Sequence, residues 1–292
     1  AVYVFDKIRT TKLKKAKAAL EKKVDERTLE LAIKNAELAE KNKDITDSIR
    51  YAKRIQESSL LGHKEIKEVV ESSTILFKPK DIVSGDFVWA KKVGNAVYIA
   101  AVDCTGHGVP GAILSIVANN LLEKTFEECK SDEPGKLLDY LSVLASTALK
   151  TSSDGYQLRD GMDIALCKID RTTNKAEFAG AYNSLFLIRE NKLIEYPADH
   201  FSIGVLDSGK KYTNHTLNLE KNDLLYLFTD GFPDQFGGEK GKKYKYTHFQ
   251  DFLVKINNRP IEEHETLLNE EFVMWKGSLE QVDDVTIVGV RI

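Results

Sequence analysis

Residues 100–112 read AAVDCTGHGVPGA, and this stretch places Asp103 where an apolar run gives way to a glycine-rich bend. The preceding run, AVYIAAV at 96–102, has the β-branched and aromatic composition of a buried strand. Three glycines and a proline follow Asp103 within nine residues, which is typical of a turn and not of a continuing strand. A carboxylate is costly to bury unless a cation or hydrogen-bond donors compensate for the lost water. Asp103 is therefore the first candidate functional residue.

The segments on either side of this bend predict a hairpin followed by two helices. The β-prone runs DFVWAKKV (86–93) and AVYIAAVD (96–103) are joined by Gly94-Asn95, a hairpin-turn dipeptide. Residues 110–129 and 134–150 each open with a proline and repeat apolar residues at helical spacing. A helix pair is therefore expected after the hairpin.

The rest of the chain predicts an α+β fold. Short β-prone runs fill residues 162–230 with no helical pattern between them, so we expect them to pair antiparallel. Two helical segments (247–258 and 261–277) then precede a last strand, DVTIVGVRI (284–292). This order indicates stacked antiparallel sheets, a β-sandwich, with helix pairs on the outer faces.

Residues 6–60 contain no glycine or proline and are rich in Lys, Glu, Ala and Leu, which predicts one long helix. Apolar residues recur in it every seven positions, the period of a coiled-coil seam, at Val24, Leu31, Leu38, Ile45 and Ala52. The second seam position of each heptad instead holds Arg27, Lys34, Lys41 and Ser48. We expect a loosely paired parallel coiled coil over residues 1–62, which would make the protein a homodimer. The alternative is a single solvated helix held by i,i+4 ion pairs.

Composition excludes several classes of function. The net charge of −3 supplies no basic field for nucleic acid. Three cysteines without a C-x-x-C pair predict neither a disulfide framework nor a zinc site, which favours a reducing, cytoplasmic location. No apolar run approaches the ~20 residues that span a bilayer. The opening AVYVFDKIR, apolar and then basic, is also typical of the cytoplasmic side of a membrane-anchored receptor, so an upstream sensor or membrane segment is kept as an alternative.

Further acids share the setting of Asp103, because each stands in a bend at the edge of an apolar run. They are Asp86 in SGDF, Asp230 in LFTDGF, and Asp283 and Asp284 in QVDDVTIV. Oxygen ligands without histidine or cysteine favour a hard ion such as Mg²⁺ or Mn²⁺. Two such ions can activate a bridging water for phosphoryl transfer. Each acid taken alone is more often explained as a turn residue, whereas four together are harder to dismiss, and spacing does not establish that they converge.

Four stretches resemble, in order and separation, the motifs of the SpoIIE-type (PP2C-like) bacterial serine/threonine protein phosphatases. They are DIVSGDFVW (81–89), AAVDCTGHGVPGA (100–112), DLLYLFTDGF (223–232) and VDDVTIVGVR (282–291). The resemblance covers about residues 70–292, which we expect to be the phosphatase domain. DITDSIRYAKRIQESSL (44–60) is similar to the linker that joins sensor modules to these enzymes. AGAYNSLFLI (179–188) resembles a family strand that ends in a His-Asn-Pro-like turn, with Tyr182 in place of histidine.

The resemblance implies that phosphoserine or phosphothreonine proteins are hydrolysed by a water that two Mn²⁺ or Mg²⁺ ions activate. It implies that Asp103 bridges both ions. Asp86 and the backbone carbonyl of Cys104 would serve one ion, and Asp230 with Asp283 the other.

Other residues are weaker candidates for this site. Asp284 is the alternative to Asp283 and is otherwise expected to support the ligands. His107 is a candidate general acid, although it stands further past Asp103 than the catalytic histidine of some relatives does. Asp160 is a candidate ligand of a third ion, and Asp163, inside an apolar run, receives no role. No counterpart of the phosphate-binding arginine of eukaryotic relatives is evident.

Two other functions are weighed against the phosphatase. A catalytically silent, signal-responsive scaffold of the same fold would be expected to lose metal ligands, and all the acidic positions are retained here. A two-metal phosphodiesterase would need clustered histidines, which the sequence lacks.

Overall fold

The structure is a computed structural model that describes residues 2–149, 161–204 and 209–292. The chain divides into two compact units, Ala1–Arg50 and Tyr51–Ile292. The sequence-based boundaries, a linker over 1–62 and a domain over 70–292, remain predictions.

The predicted long helix is confirmed as α1 (Val2–Ser59). The seam residues Val24, Leu31, Leu38 and Ile45 are 55–60% exposed, so no described part of the chain covers them. Ion pairs along the helix are also present, as between Lys34 and Glu30, whose atoms lie 2.8 Å apart. Both sequence-based alternatives for this helix therefore stay open, and the coiled coil remains a prediction. Within the described residues, every helix is too short or too polar to cross a membrane.

The second unit alternates strands and helices in the predicted order. Its strands are β1 (Ser73–Lys78), β2 (Phe87–Val93), β3 (Ala96–Cys104), β4 (Met162–Asp170), β5 (Lys175–Ala181), β6 (Leu185–Arg189), β7 (Lys192–Tyr196), β8 (His215–Asn218), β9 (Leu224–Phe228), β10 (Phe236–Gly237), β11 (Lys242–Lys243) and β12 (Val285–Arg291). Its further helices are α2 (His63–Val69), α3 (Gly108–Glu128), α4 (Pro134–Ala148), α5 (Gly231–Asp234), α6 (Lys245–Ile256) and α7 (Ile261–Lys276).

Two antiparallel five-stranded sheets form the predicted sandwich. Their strand orders are β1-β12-β9-β6-β7 and β2-β3-β4-β5-β8, and β10 pairs with β11 alone. The predicted hairpin is β2 and β3, in register from Phe87 opposite Val102 to Val93 opposite Ala96. The α+β prediction is confirmed.

The core consists of three layers of side chains between four layers of backbone. In β3, Ile99 and Ala101 face the other sheet, whereas Ala100 and Val102 pack on the side of α3 and α4. The outer face of the first sheet packs on α6 and α7 around residues such as Phe249. Both faces of β3 are buried, which explains its continuous apolar run.

Helix α2 and the pairing of β1 were not predicted from the sequence. Helix α2 has seven residues and buries only Ile66, so it is too short to show a helical period. Strand β1 extends the first sheet by pairing with β12, from Ser73 opposite Val290 to Lys78 opposite Val285. Such a pairing is non-local and leaves no signal in the strand's own sequence.

Candidate metal centre

The acid-bearing bends lie at the same end of the two sheets. Asp86 directly precedes β2, whose first residue pairs with Val102, the neighbour of Asp103. Asp230 follows β9, and Asp284 directly precedes β12, which is paired with β9. The hydroxyl of Thr229, directly after β9 of the first sheet, donates a 2.6 Å hydrogen bond to Oδ2 of Asp86, directly before β2 of the second. The strand ends therefore bring the predicted acids together.

Burial and one another's charges raise the pKa values of these carboxylates. Burial raises the pKa of Asp103 well above its ordinary value, and the charges of Asp86, Asp230 and Asp283 raise it further. Burial raises the pKa of Asp86 to about 8, against the opposing hydrogen bond from Thr229. Burial, followed by the charge of Asp234, raises the pKa of Asp230 to about 6. In the absence of a cation, the folded chain therefore disfavours full ionisation of this group.

The two acids of the VDDV stretch have different surroundings. Both carboxylate oxygens of Asp284 accept backbone N–H groups, from Lys80 at 2.7 Å and from Gly85 at 2.8 Å. Asp284 therefore fastens the segment that leads to Asp86. Asp283 instead lines a cavity together with Asp103, and burial raises its pKa. This geometry favours Asp283 over Asp284 as the cation-facing acid, and the assignment stays a prediction.

The glycines of the bend allow two backbone segments to meet. A Cβ at Gly111 would lie 2.2 Å from the carbonyl oxygen of Gly106, and one at Gly85 would lie 2.7 Å from the same atom. The carbonyl oxygen of Cys104 is also only 3.0 Å from the Gly85 Cβ position. Gly106 itself has a φ of 89°, a conformation that favours glycine. The close approach holds the Asp86 segment against the loop after Asp103.

A cavity of about 210 Å³ opens at this end of the sandwich. It is lined by Asp103, Cys104, Thr105, Gly106, His107, Asp163, Ser202 and Asp283. Asp86 and Asp230 lie outside that lining. Nδ1 of His107 lies 3.0 Å from Oδ2 of Asp81. Asp81 is the first residue of the DIVSGDFVW stretch and was given no role from the sequence. The role of His107 as an acid stays a prediction, and Asp160 lies outside the described residues.

The donor set fits a hard divalent cation. No three acid, histidine or cysteine side chains of the described residues come close enough together to ligate one ion by themselves. Mg²⁺ ordinarily binds to one or two carboxylates and keeps several waters, so a tight three-acid cluster is not required. Oδ1 of Asp163 is buried without a hydrogen-bond partner beside these acids, which leaves an oxygen available for a cation.

The raised pKa values predict how the stability of the metal-free protein depends on pH. Asp86 has a higher pKa in the folded chain than in the unfolded chain. At pH values between the two, only the folded chain holds a proton on Asp86, so the free energy of unfolding falls as pH rises. From about pH 7 to about pH 8.5, we expect the melting temperature in chelator to fall by roughly 3–6 °C. Burial lowers the pKa values of His63 and His264, which costs stability only below about pH 6.5.

Differential scanning fluorimetry with chelator and with Mn²⁺ measures this effect. A bound cation favours the ionised carboxylates. With Mn²⁺, the melting temperature should therefore fall less with rising pH, or should rise. Asp86→Asn should reduce the slope in chelator. A melting temperature that rises with pH in chelator would contradict the inferred protonation.

The sequence model of the family described as Stage II sporulation protein E (SpoIIE) matches residues 94–292. The solved SiaA-PP2C domain of Pseudomonas aeruginosa is 31% identical, with a TM-score of 0.79 over 86% of this chain and 98% of that one. The PP2C phosphatase domain of SpoIIE from Bacillus subtilis, solved with a fragment of its regulatory domain, is 23% identical. Its TM-score is 0.62, over 76% of this chain and 63% of that one.

RsbX, solved in complex with magnesium, is 15% identical, with a TM-score of 0.52 over 75% and 94% of the two chains. At these lower identities, RsbX and the Bacillus domain show the fold alone. No curated protein sequence matches the chain. The family match over most of the sandwich, together with the similarity to the SiaA domain, shows that the chain belongs to the SpoIIE family of PP2C-like phosphatase domains.

Proposed function

We propose that this chain is a protein serine/threonine phosphatase that depends on two divalent cations, Mn²⁺ or Mg²⁺. The observation that carries the proposal is the meeting of acids from distant parts of the sequence at one end of the sandwich, joined by the 2.6 Å contact between Thr229 and Asp86. Membership of the family and the magnesium complex of RsbX support the choice of ion.

Each residue has a proposed task in this centre. Asp103 would bind both cations, Asp86 and the backbone carbonyl of Cys104 one of them, and Asp230 with Asp283 the other. Two such cations lower the pKa of bound water and stabilise both the attacking and the leaving oxygen of a phosphoryl transfer. Thr229 orients Asp86, and Asp284 fixes the backbone before it, so both support this proposed ligand.

The dimensions of the cavity suit a phosphorylated side chain. Its volume of about 210 Å³ is below the roughly 300–1,000 Å³ of pockets that enclose a drug-sized ligand. A phosphoserine or phosphothreonine side chain is small enough to enter while its protein remains outside. We therefore propose a phosphoprotein as the substrate, which membership of the family also favours.

Phosphate release from matched phosphoserine, phosphothreonine and phosphotyrosine peptides tests this function. We expect Mn²⁺-dependent release from the first two, and loss of activity in Asp230→Asn with an unchanged circular dichroism spectrum. A silent scaffold would release no phosphate from any peptide in Mn²⁺ or Mg²⁺. Selective hydrolysis of phosphotyrosine would contradict the proposed substrate class.

We also propose that α1 is a dimeric stalk that regulates the phosphatase. The location we propose is the cytoplasm, with the cytoplasmic part of a membrane-anchored receptor as the alternative. From Arg9 to Ser59, Gln56 is the one buried residue of this helix. Its Nε2 donates to the carbonyl oxygen of Ser84 at 2.6 Å and to Oγ of Ser115 at 2.8 Å. Oγ of Ser84 in turn accepts the N–H of Asp86 at 3.0 Å. Two hydrogen bonds thus connect the end of α1 to a proposed ligand.

Leucine at Arg27, Lys34 and Lys41 should tighten the dimer, because it completes the apolar seam. We expect the dimer dissociation constant to fall at least about 100-fold by analytical ultracentrifugation, with a change in phosphatase activity. The same triple variant with Gln56→Ala is the control, since it should dimerise equally and lose the change in activity. Monomeric wild-type and triple-variant chains at tens of micromolar would show that the stalk is only a spacer.

A further inference from the structure

Asp163 lies directly opposite Asp103 in the sandwich. Strands β3 and β4 are antiparallel neighbours, and their register pairs these two residues. Side chains at paired positions stand on the same face of a sheet, with Cβ atoms about 4.5–5.5 Å apart. Both residues line the cavity of about 210 Å³. Asp163 therefore faces the same space as the acid at the centre of the proposed site.

The surroundings of Asp163 compensate only part of the cost of a carboxylate in the metal-free chain. Its neighbours in β4, Met162 and Ile164, are fully buried apolar residues. Oδ1 of Asp163 is buried and has no hydrogen-bond partner among the described residues. Two carboxylates directly opposite each other in a sheet repel each other when both are ionised, and Asp103 occupies the opposite position. A hydrogen bond from Ser202 offsets part of the cost of burying this acid, and Oδ1 remains unsatisfied.

A bound divalent cation would offset the remaining cost. The unpartnered oxygen could then act as a ligand, and both Asp163 and Asp103 would be attracted to the same positive charge. Resting on the proposed function, we propose that Asp163 is an additional acid of the metal centre, which binds the divalent cation together with Asp103. Ser202 lines the cavity beside it and is placed to orient the carboxylate.

Calorimetric titration of the full chain with Mn²⁺ tests this role without measuring turnover. Asp163→Asn keeps the size of the side chain and removes its charge. We expect its Mn²⁺ dissociation constant to rise at least about 10-fold, as for other groups that support a metal. Asp163→Thr is the second variant, for use if the asparagine variant folds poorly, because threonine is β-branched and suits a strand. It should give the same result. Asp251→Asn, at an exposed position of α6, is the matched control and should bind Mn²⁺ as the wild type does.

Melting temperatures separate metal binding from a structural role. Relief of repulsion should leave metal-free Asp163→Asn as stable as the wild type or more stable, with a smaller increase on addition of Mn²⁺. Wild-type Mn²⁺ affinity in both variants would overturn the inference, whether or not their stability changes. In that case, an active wild-type chain would leave the proposed phosphatase standing, whereas a wild-type chain that binds no Mn²⁺ would overturn both.

Discussion

Replacement of Asp103 by asparagine should lower the hydrolysis of a phosphoserine peptide by at least about 1,000-fold, since a bound cation supplies several kcal/mol of transition-state stabilisation. Asp103 is the acid on which the charges of Asp86, Asp230, Asp283 and Asp163 all act. Its loss therefore removes the central carboxylate of the proposed centre. The loss should appear in kcat at saturating Mn²⁺, because added metal cannot restore the missing ligand.

The same substitution should not destabilise the metal-free fold. The raised pKa of Asp103 shows that its ionised form is unfavourable in the folded chain, so a neutral amide of equal size relieves the charge. Melting in chelator should give an unchanged or higher midpoint than for the wild type. The exposed change Asp251→Asn is the control for activity and for stability. Near-normal Mn²⁺-dependent activity in Asp103→Asn would refute the ligand assignment.

Gly111→Ala should have the second-largest effect. It should destabilise the protein, although alanine has the higher helix propensity. Alanine in place of a helical glycine ordinarily stabilises by up to about 1 kcal/mol. Here the new Cβ would lie 2.2 Å from the carbonyl oxygen of Gly106, and the atom to be displaced is backbone. We expect a loss of about 2–4 kcal/mol in the free energy of unfolding.

The activity of Gly111→Ala should fall about 100-fold, since a shift of about 1 Å at reacting groups has that effect. Chemical denaturation and peptide hydrolysis measure the two effects. Asn120→Ala, at an exposed position of the same helix, should be neutral or slightly stabilising. Equal stability of Gly111→Ala and wild type would show that the Asp86 segment yields easily and does not fix the site.

The sandwich and its hairpin could be predicted because their signals are local. The run from Ala96 to Val102 identifies a doubly buried strand, and Gly94-Asn95 identifies its turn. The acid positions were found for the same reason, since each interrupts an apolar run. Their convergence rests on pairings such as β9 with β12, which link residues far apart in the sequence. No property of the single segments encodes those pairings.

The different environments of neighbouring acids could not be predicted from the sequence. Asp283 and Asp284 are adjacent, yet one faces the cavity and the other accepts the N–H groups of Lys80 and Gly85. Asp163 stood out as an acid within an apolar run, but its position opposite Asp103 depends on the register of β3 and β4. The buried contacts of Gln56 likewise depend on a segment that lies close only in the folded chain.

The central claim is that this chain releases phosphate from phosphoserine only with a divalent cation at the acid cluster. Its most direct test is inorganic phosphate release from a phosphoserine peptide by the chelator-treated full chain during stepwise addition of Mn²⁺. We predict no release above background before addition, then a saturable rise that chelator reverses and that is absent in Asp103→Asn. Full activity in chelator, or no release at any Mn²⁺ or Mg²⁺ concentration, would contradict the account.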